Sequence, residues 1–462
     1  MSQSKANLQP LEVIVLAAGA GTRMRSNQAK VMLPLTGKPM LAHVLSMAAA
    51  LEPKRIHIVY GHKGEQLRSA FPDPKFNWIE QTEQMGTGHA VRCVISHLEP
   101  KSKVLVLYGD VPALRAADIA SLVQQCDEKN VVGVLLADLN APAGYGRAVI
   151  TGGRVTKIVE EKLADAAELA ITRVNTGVIC AQSIELARWV GQLDRNNLQN
   201  EYLLTDIFAM AARESQPAYF QICEPAWRAF GANDAVQLVE LERKMQLDSA
   251  YALLLNGVRL ADPNRIDIRG VLTTGVDVEI DANVIFEGEV SLANNVKIGA
   301  FNRIKNCTLA AGTIVHAHCD LEGVVSHGAC EIGPFARLRP GTVLQHGSKI
   351  GNFVECKNAQ IGAASKISHL SYIGDAALGA SVNIGAGTIT CNYDGVNKHK
   401  IQIGDDVFIG SNTSLVAPLA IGSGATIGAG TVLTSNAAAN QLTLARAPQK
   451  TITSWVRPTK KT

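Results

Sequence analysis

The sequence predicts two architectures in series: an α/β half built on a mostly parallel sheet, then a parallel β-helix. Three observations predict this. Short apolar runs alternate with helix-like stretches from residue 11 to about 230. An aliphatic residue recurs every six positions after residue 257. A long helical pattern, 234–256, separates the two regimes.

In the first regime EVIVLA, RIHIVYG, KVLVLYGD and NVVGVLLAD read as strands buried on both faces. GKPMLAHVLSMAAALE, 37–52, reads as a helix with Pro39 in its first turn, where the missing N–H costs little. Such alternation puts helices on both faces of the sheet. In the connecting helix Val236, Val239, Arg243, Gln246, Ala250 and Leu253 are expected on one stripe, and Gly257 is a plausible stop.

The second regime carries Ile280, Phe286, Leu292, Ile298 and Ile304 as one series. Ile403, Ile409, Leu415, Ile421, Ile427 and Leu433 form the clearest. Gly often follows the aliphatic residue, and small or β-branched residues such as Val407, Thr413, Ala425 and Thr431 sit four places after it. A period of six fits neither an α-helix nor an amphipathic strand. It fits a hexapeptide coil with one short strand and one corner per hexad, hence about nine coils of roughly 18 residues. The alternation and hairpin signals of a sandwich are largely missing.

Composition narrows the function classes. A chain of 462 residues with 47% apolar content suggests two or three domains with sizeable cores, and a net charge of +3 argues neither for nor against nucleic-acid binding. The basic tail RPTKK, 457–461, is short enough to be a solvated terminus. Nine dispersed cysteines with no C-x-x-C pair suggest reduced thiols in a cytoplasmic protein. The opening MSQSKANLQP is polar and unlike a signal peptide, and no apolar stretch approaches the roughly 20 residues of a membrane span.

The chemistry concentrates after the first strand, in LAAGAGTRMRS, 16–26. Gly19 and Gly21 would turn the chain tightly and bring backbone N–H groups to an anion, while Arg23 would grip phosphate oxygens. The stretch is neither a dinucleotide fingerprint, since Met24 stands where a third Gly belongs, nor a P-loop. Lys30 is within reach of a di- or triphosphate. QTEQMGTGHA, 81–90, is a second glycine-rich loop suited to a base, and Asp110 ends VLVLYGD at the sheet edge where ligands bind and where a carboxylate suits Mg²⁺. Alone, each has a plain structural reading as a turn.

LAAGAGTRM, Lys30, QMGTGHA, YGDVP and VNTG at 174–177 resemble the sugar-nucleotide pyrophosphorylases. With the hexapeptide half, nearly the whole chain resembles the bacterial bifunctional N-acetylglucosamine-1-phosphate uridyltransferase/glucosamine-1-phosphate acetyltransferases. The resemblance implies a Rossmann-like nucleotidyltransferase domain over 1–233, a linker helix over 234–256, and a left-handed β-helix acetyltransferase domain over 257–462. The left hand comes from the resemblance alone, because the general crossover rule gives the right. It also implies that Leu16, Ala17, Ala18 and Gly19 line the nucleotide, that Gln81, Gly86 and Thr87 surround uracil, and that Arg23 and Lys30 hold the phosphates. Tyr108, Gly109, Gly146, Glu160 and Asn175 would hold the sugar side, with Asp110 and Asn233 on Mg²⁺. Two positions depart from the family pattern: Ala29 stands where Pro usually precedes the lysine, and Ala20 where Lys is frequent.

In the coil the hexads break between Ile384 and Ile403, and TCNYDGVNKHK, 390–400, is expected to leave it as a loop. His369 has Arg339, Lys357, Tyr372, Asn383, Asn392 and Tyr393 within one or two coils, a set that suits a sugar phosphate and proton removal from an amine. The resemblance makes His369 the general base. It gives Arg339, Lys357, Tyr372 and Asn383 to glucosamine-1-phosphate, Asn392 and Tyr393 to the reaction centre, and Ala386, Ser411, Ala429 and Arg446 to acetyl-CoA. It implies UTP and acetyl-CoA as co-substrates, small-molecule partners only, a homotrimer with acetyl sites between subunits, and the bacterial cytoplasm. His316 and His318 fall on one side of a strand but lack a third ligand, so no metal is expected there. The competing readings are a single-activity pyrophosphorylase with a structural coil, and a non-enzymatic scaffold.

Overall fold

The computed structural model describes residues 9–19, 21–61, 63–197, 200–458 and 460. Ala20, residues 1–8 of the polar opening, and residues 459 and 461 of the basic tail lie outside the described residues. The chain divides into two compact units, Met1–Met245 and Gln246–Thr462.

The first unit is built on a sheet containing β1 (Leu11–Leu16), β2 (Arg55–Tyr60), β3 (Phe76–Glu80), β4 (Lys103–Tyr108), β5 (Val132–Asp138), β6 (Arg147–Thr151), β7 (Arg154–Val159), β8 (Arg173–Gln182) and β9 (Tyr219–Ile222). The main order is β9-β5-β8-β4-β1-β2-β3, with the β6–β7 hairpin attached through β8. All four runs read as buried strands are strands. β8 is an addition to them, and it runs antiparallel between β4 and β5, so the sheet is mixed. VNTG lies in its opening, where the strand bulges between Asn175 and Ile179.

Alternate side chains of β1 enter separate cores: Ile14 belongs to one and Val13 and Val15 to the other. Helices cover both faces, as strands without a polar face require. The first of them, α1 (Met40–Ala49), begins later than expected. Pro39 caps it from a short antiparallel pairing with Pro34 instead of lying in its first turn. The helix α2 (Gly64–Ala70) follows β2.

The helix Ala235–Leu255 spans the division between the units. Its expected single stripe is not a single buried face: Val236 and Val239 are 68% and 62% exposed. Leu241 packs into the first unit, and Gln246, Ala250 and Leu253 are buried in the second. The helix serves two cores in succession, so no one stripe describes it.

The second unit is a parallel β-helix. One face is a sheet of 11 strands, and a 17-stranded sheet winds over the rest. The 11 rungs exceed the nine coils expected, because the coil already winds through Arg259–Leu260 and still pairs at Leu442–Thr443, where the hexad signal is weak. The aliphatic residues of the hexads stack inside: Ile280, Ile332, Ile350, Ile367, Ile384, Ile409 and Ile427 are all buried in one continuous core. Val407, Thr413, Ala425 and Thr431 are buried beside them. Between Asn383 and its partner Phe408 the coil lengthens, and the loop expected over 390–400 leaves it only from 392, because Thr390 and Cys391 still pair with Leu415 and Val416 in the coil. Ile350→Ala deletes a fully buried side chain from this column and should cost about 2–5 kcal/mol. Urea unfolding of the second unit reads this out, and a change below about 0.5 kcal/mol would show that the column does not hold the coils together.

His316 and His318 do not share a side. His316 Nε2 pairs with Glu331 at 3.0 Å, whereas His318, at a corner with φ 62°, stacks between Phe301 and Phe335. All nine cysteines are free; Cys391 is exposed, Cys93 half-buried and the others buried. No helix among the described residues is long and apolar enough to cross a membrane.

Candidate active sites

The carboxyl edge of the first sheet gathers the phosphate-binding candidates. The chain leaves β1, passes Gly19 and makes a tight 3₁₀ turn, Thr22–Met24, that carries Arg23. A second such turn, Lys30–Met32, carries Lys30. Gly21 makes the bend at φ 59°, and a Cβ there would lie 2.6 Å from Lys30 Cβ, so no side chain fits. Gly19 is not in the left-handed region and faces open space, so the turn rests on one glycine rather than two.

Lys30 Nζ donates to Asp110 Oδ2 at 2.5 Å and to Asn233 Oδ1 at 2.9 Å. Three side chains from well-separated stretches therefore meet at one point. Leu16, Ala17, Ala18, Gly19, Arg23, Lys30, Gln81, Gly86, Thr87, Tyr108, Asp110 and Asn233 all line a single cavity of about 400 Å³. Gln81 Nε2 donates to Gly86 O at 3.1 Å, which braces the second glycine-rich loop. Gly109 lies just outside the lining and ties β4 to β1 by donating to Leu16 O at 2.9 Å.

Gly146, Glu160 and Asn175 form an adjoining cluster. Asn175 N donates to Gly146 O at 2.9 Å, and a Cβ on Gly146 would come 3.5 Å from Glu160 Oε1. Burial pushes the Glu160 carboxyl up, Asp206 adds to this, and the Thr205 hydroxyl opposes it. Tyr108 joins cavity and cluster. Burial raises its phenol, and the charges of Asp110 and Glu160 reinforce the shift. Its ring fits only because Gly177, at φ 86°, has no Cβ, which would otherwise sit 2.4 Å from the ring. That explains the glycine of VNTG.

In the second unit the candidates fall into three groups. His369 ends a strand of the 11-stranded face in register with Asn352, whose Oδ1 accepts from His369 Nδ1 at 2.6 Å. In the neutral ring that bond places the lone pair on Nε2. A second group lies on the 17-stranded sheet. Arg339 Nη1 donates to Glu355 at 2.9 Å, and Tyr372 is in register with Glu355. Lys357 meets Lys398 of the expelled loop, which together with Arg339 pushes its ammonium pKa down. Asn392 donates to Asp375, which also accepts from Asn358 at 2.6 Å, and Tyr393 bridges to Lys398. A third group climbs the coil from Asn383. Ala386 O accepts from Asn412 N, Ser411 O from Gly430 N, and Ala429 O from Arg446 Nη1 at 2.7 Å. Among the described residues no hydrogen bond or ion pair joins His369 to Arg339 or Lys357.

Several members of these sites carry no signal that sequence reasoning detects. Thr22, Gln84 and Glu201 line the cavity of the first unit. Lys398 sits inside TCNYDGVNKHK, where loop lysines are usually solvated. Asn352 stands one coil before His369, and that offset is its only signal.

The MobA-like NTP transferase domain family matches residues 13–173, and the hexapeptide repeat of succinyl-transferase matches residues 400–435. The chain is 53% identical over 455 residues to the Bifunctional protein GlmU of Xylella fastidiosa (strain M12), covering 98% of this chain and 99% of that protein. The same figures hold for the Bifunctional protein GlmU of Stenotrophomonas maltophilia (strain K279a). For that of Xanthomonas axonopodis pv. citri (strain 306) identity is 52% over 454 residues. A nucleotidyltransferase sheet joined to a left-handed hexapeptide coil, matched end to end by these relatives, makes this chain a member of the bifunctional GlmU family.

Proposed function

We propose that residues 1–233 transfer uridylyl from UTP to N-acetylglucosamine-1-phosphate, and that 257–462, beyond the helix 234–256, acetylate glucosamine-1-phosphate from acetyl-CoA. The observation that carries the reading is the meeting of Lys30, Asp110 and Asn233 at the mouth of the nucleotide cavity. The experiment is a product assay with glucosamine-1-phosphate, acetyl-CoA, UTP and Mg²⁺, omitting one component at a time. UDP-N-acetylglucosamine should require all four.

In uridylyl transfer a phosphate oxygen of the sugar phosphate attacks the α-phosphorus of UTP, and pyrophosphate leaves. Arg23 and Lys30 neutralise the charge on the phosphoryl oxygens, and the walls of Leu16–Gly19 and Gln81–Thr87 fix the nucleotide. Asp110 Oδ2 and Asn233 Oδ1 already converge on one ammonium, which is the donor set of hard oxygens that Mg²⁺ accepts when phosphates and water complete its shell. When bound, Mg²⁺ supplies further positive charge against the phosphates. Gly146, Glu160 and Asn175, with Tyr108 and Gly109, receive the sugar.

In acetyl transfer His369 Nε2 takes a proton from the sugar ammonium. The freed amine attacks the thioester carbonyl to form the C–N bond, the C–S bond breaks, and the departing thiolate of coenzyme A takes up the second amine proton. Arg339 and Lys357, with Tyr372 and Asn383, hold glucosamine-1-phosphate. Asn392 and Tyr393 shape the centre, and Ala386, Ser411, Ala429 and Arg446 hold acetyl-CoA. Lys398 joins Lys357 because two facing ammonium groups are best reconciled by a phosphate dianion between them. Lys398→Ala should raise KM for glucosamine-1-phosphate about 10–100-fold with little change in kcat. An unchanged KM would remove Lys398 from the site.

His369 and Lys357 belong to different faces of one coil, which supports a homotrimer whose acetyl sites lie between copies. The exposed stack of Phe301, His318, Phe335 and Phe353, with centroids 4.9, 4.9 and 5.3 Å apart, offers an apolar edge for that contact. Three-fold mass by light scattering is the expected result.

A further inference from the structure

The chain between Arg23 and Lys30 has no regular structure of its own over 25–29, yet it must hold two cations at a fixed separation. It is held from outside by the start of α2. Gln66 Oε1 accepts from Ala29 N at 3.0 Å, Gln66 Nε2 donates to Asn27 O at 3.4 Å, and Lys63 Nζ donates to Ser26 O at 3.0 Å. The next helix residue, Leu67, is fully buried, so this brace stands on a fixed base. Ala29 caps the turn Lys30–Met32 in an extended conformation, φ −61° and ψ 139°, and its carbonyl accepts from Met32 N at 2.8 Å.

We propose that Gln66 is a positioning residue for uridylyl transfer: by holding the Ala29 N–H it sets the turn from which Lys30 meets Asp110 and Asn233. This rests on the reading of Arg23 and Lys30 as the triphosphate cations. Gln66 is exposed on the surface of α2 and lines no part of the cavity, so it acts only through the backbone it holds. The Ala29 φ is the value a proline ring enforces, and a proline has no N–H to satisfy. Ring and hydrogen bond are two devices for one restraint: Gln66 does by an acceptor what proline would do covalently.

The test is a double-mutant cycle in the full-length protein, with UTP kinetics read against the acetyl transfer of the same preparation. Gln66→Ala should lower kcat/KM for UTP about three- to tenfold, mostly through KM, and leave acetyl transfer unchanged. In an Ala29→Pro background the same change should cost less than about twofold, because the donor is gone and the ring fixes φ. Ala29 is buried, so the cycle is paired with a variant that adds no bulk there: Gln66→Met keeps the length, loses the acceptor and should match Gln66→Ala. Wild-type UTP kinetics in Gln66→Met, or an equal loss from Gln66→Ala with and without the Ala29→Pro substitution, would overturn the proposal. Arg23→Ala and Lys30→Ala separate the two layers: if they leave uridylyl transfer intact the site reading itself fails, and if they abolish it while Gln66→Met is silent only the positioning role fails.

Discussion

Asp110→Asn should lower uridylyl transfer on the order of 10³-fold while acetyl transfer by the same protein stays at the wild-type rate. The substitution is nearly isosteric, so the loss is a loss of charge. Asp110 stands just past the end of β4, where its Oδ2 meets the Lys30 ammonium and, through it, Asn233. An amide there cannot neutralise a divalent cation and gives Lys30 a weaker partner, so both the metal and the phosphate side of the site suffer. Raising Mg²⁺ should recover part of the rate, because weaker metal binding is offset by concentration. Folding of the first unit is checked by its own thermal unfolding, because the acetyl residues all lie after residue 338, in the other unit. Uridylyl transfer within about tenfold of wild type at ordinary Mg²⁺ would exclude Asp110 as the metal carboxylate. Simultaneous loss of both activities in a folded protein would mean that the sites are not independent.

The fold was legible where one physical rule dominates a stretch. The period of six exposes Ile403, Ile409 and Leu415 as coil interior because a stacked strand repeats the same demand for an apolar side chain on every rung. It fails where a coil is stapled by other means, as at Arg259–Leu260, whose pairing follows from the neighbouring rung rather than from its own pattern. The helix 235–255 misled because its residues answer to two cores: Leu241 satisfies one, Ala250 and Leu253 the other, and the apparent stripe through Val236 and Val239 faces water. β8 was hidden because Gly177 is there for the Tyr108 ring, a contact far away in sequence that no local pattern encodes.

The convergence of the candidates of the first unit on one cavity was readable because its parts are backbone-rich loops directly after strands, where composition and position agree. What the sequence withheld were side chains whose role depends on register. Lys398 becomes significant only when the expelled loop folds back toward Lys357, and Gln66 only when α2 lies along 26–29. Asn352 matters because the coil advances by one rung between it and His369. Each is a long-range neighbour with an unremarkable local context, so periodicity has nothing to detect.

His369→Ala should lower acetyl transfer about 10²–10⁴-fold, the range of a lost general base, and leave uridylyl transfer with supplied N-acetylglucosamine-1-phosphate intact. The substrate amine is an ammonium until something takes its proton, and an ammonium has no lone pair with which to attack a thioester. Asn352 Oδ1 accepts from Nδ1–H at 2.6 Å, which fixes the ring's orientation and leaves Nε2 as the nitrogen free to face the substrate. Asn352→Ala, which leaves the base in place but unoriented, should cost less, about tenfold, and its loss should fall on kcat rather than on KM for either substrate. Raising the pH should narrow the gap between His369→Ala and wild type, since the amine then deprotonates without help. An acetyl rate in His369→Ala within about threefold of wild type would leave the coil with no identified base. An Asn352→Ala loss appearing wholly in KM would instead put that residue in substrate contact, because an orienting bond to the imidazole acts only when the proton moves.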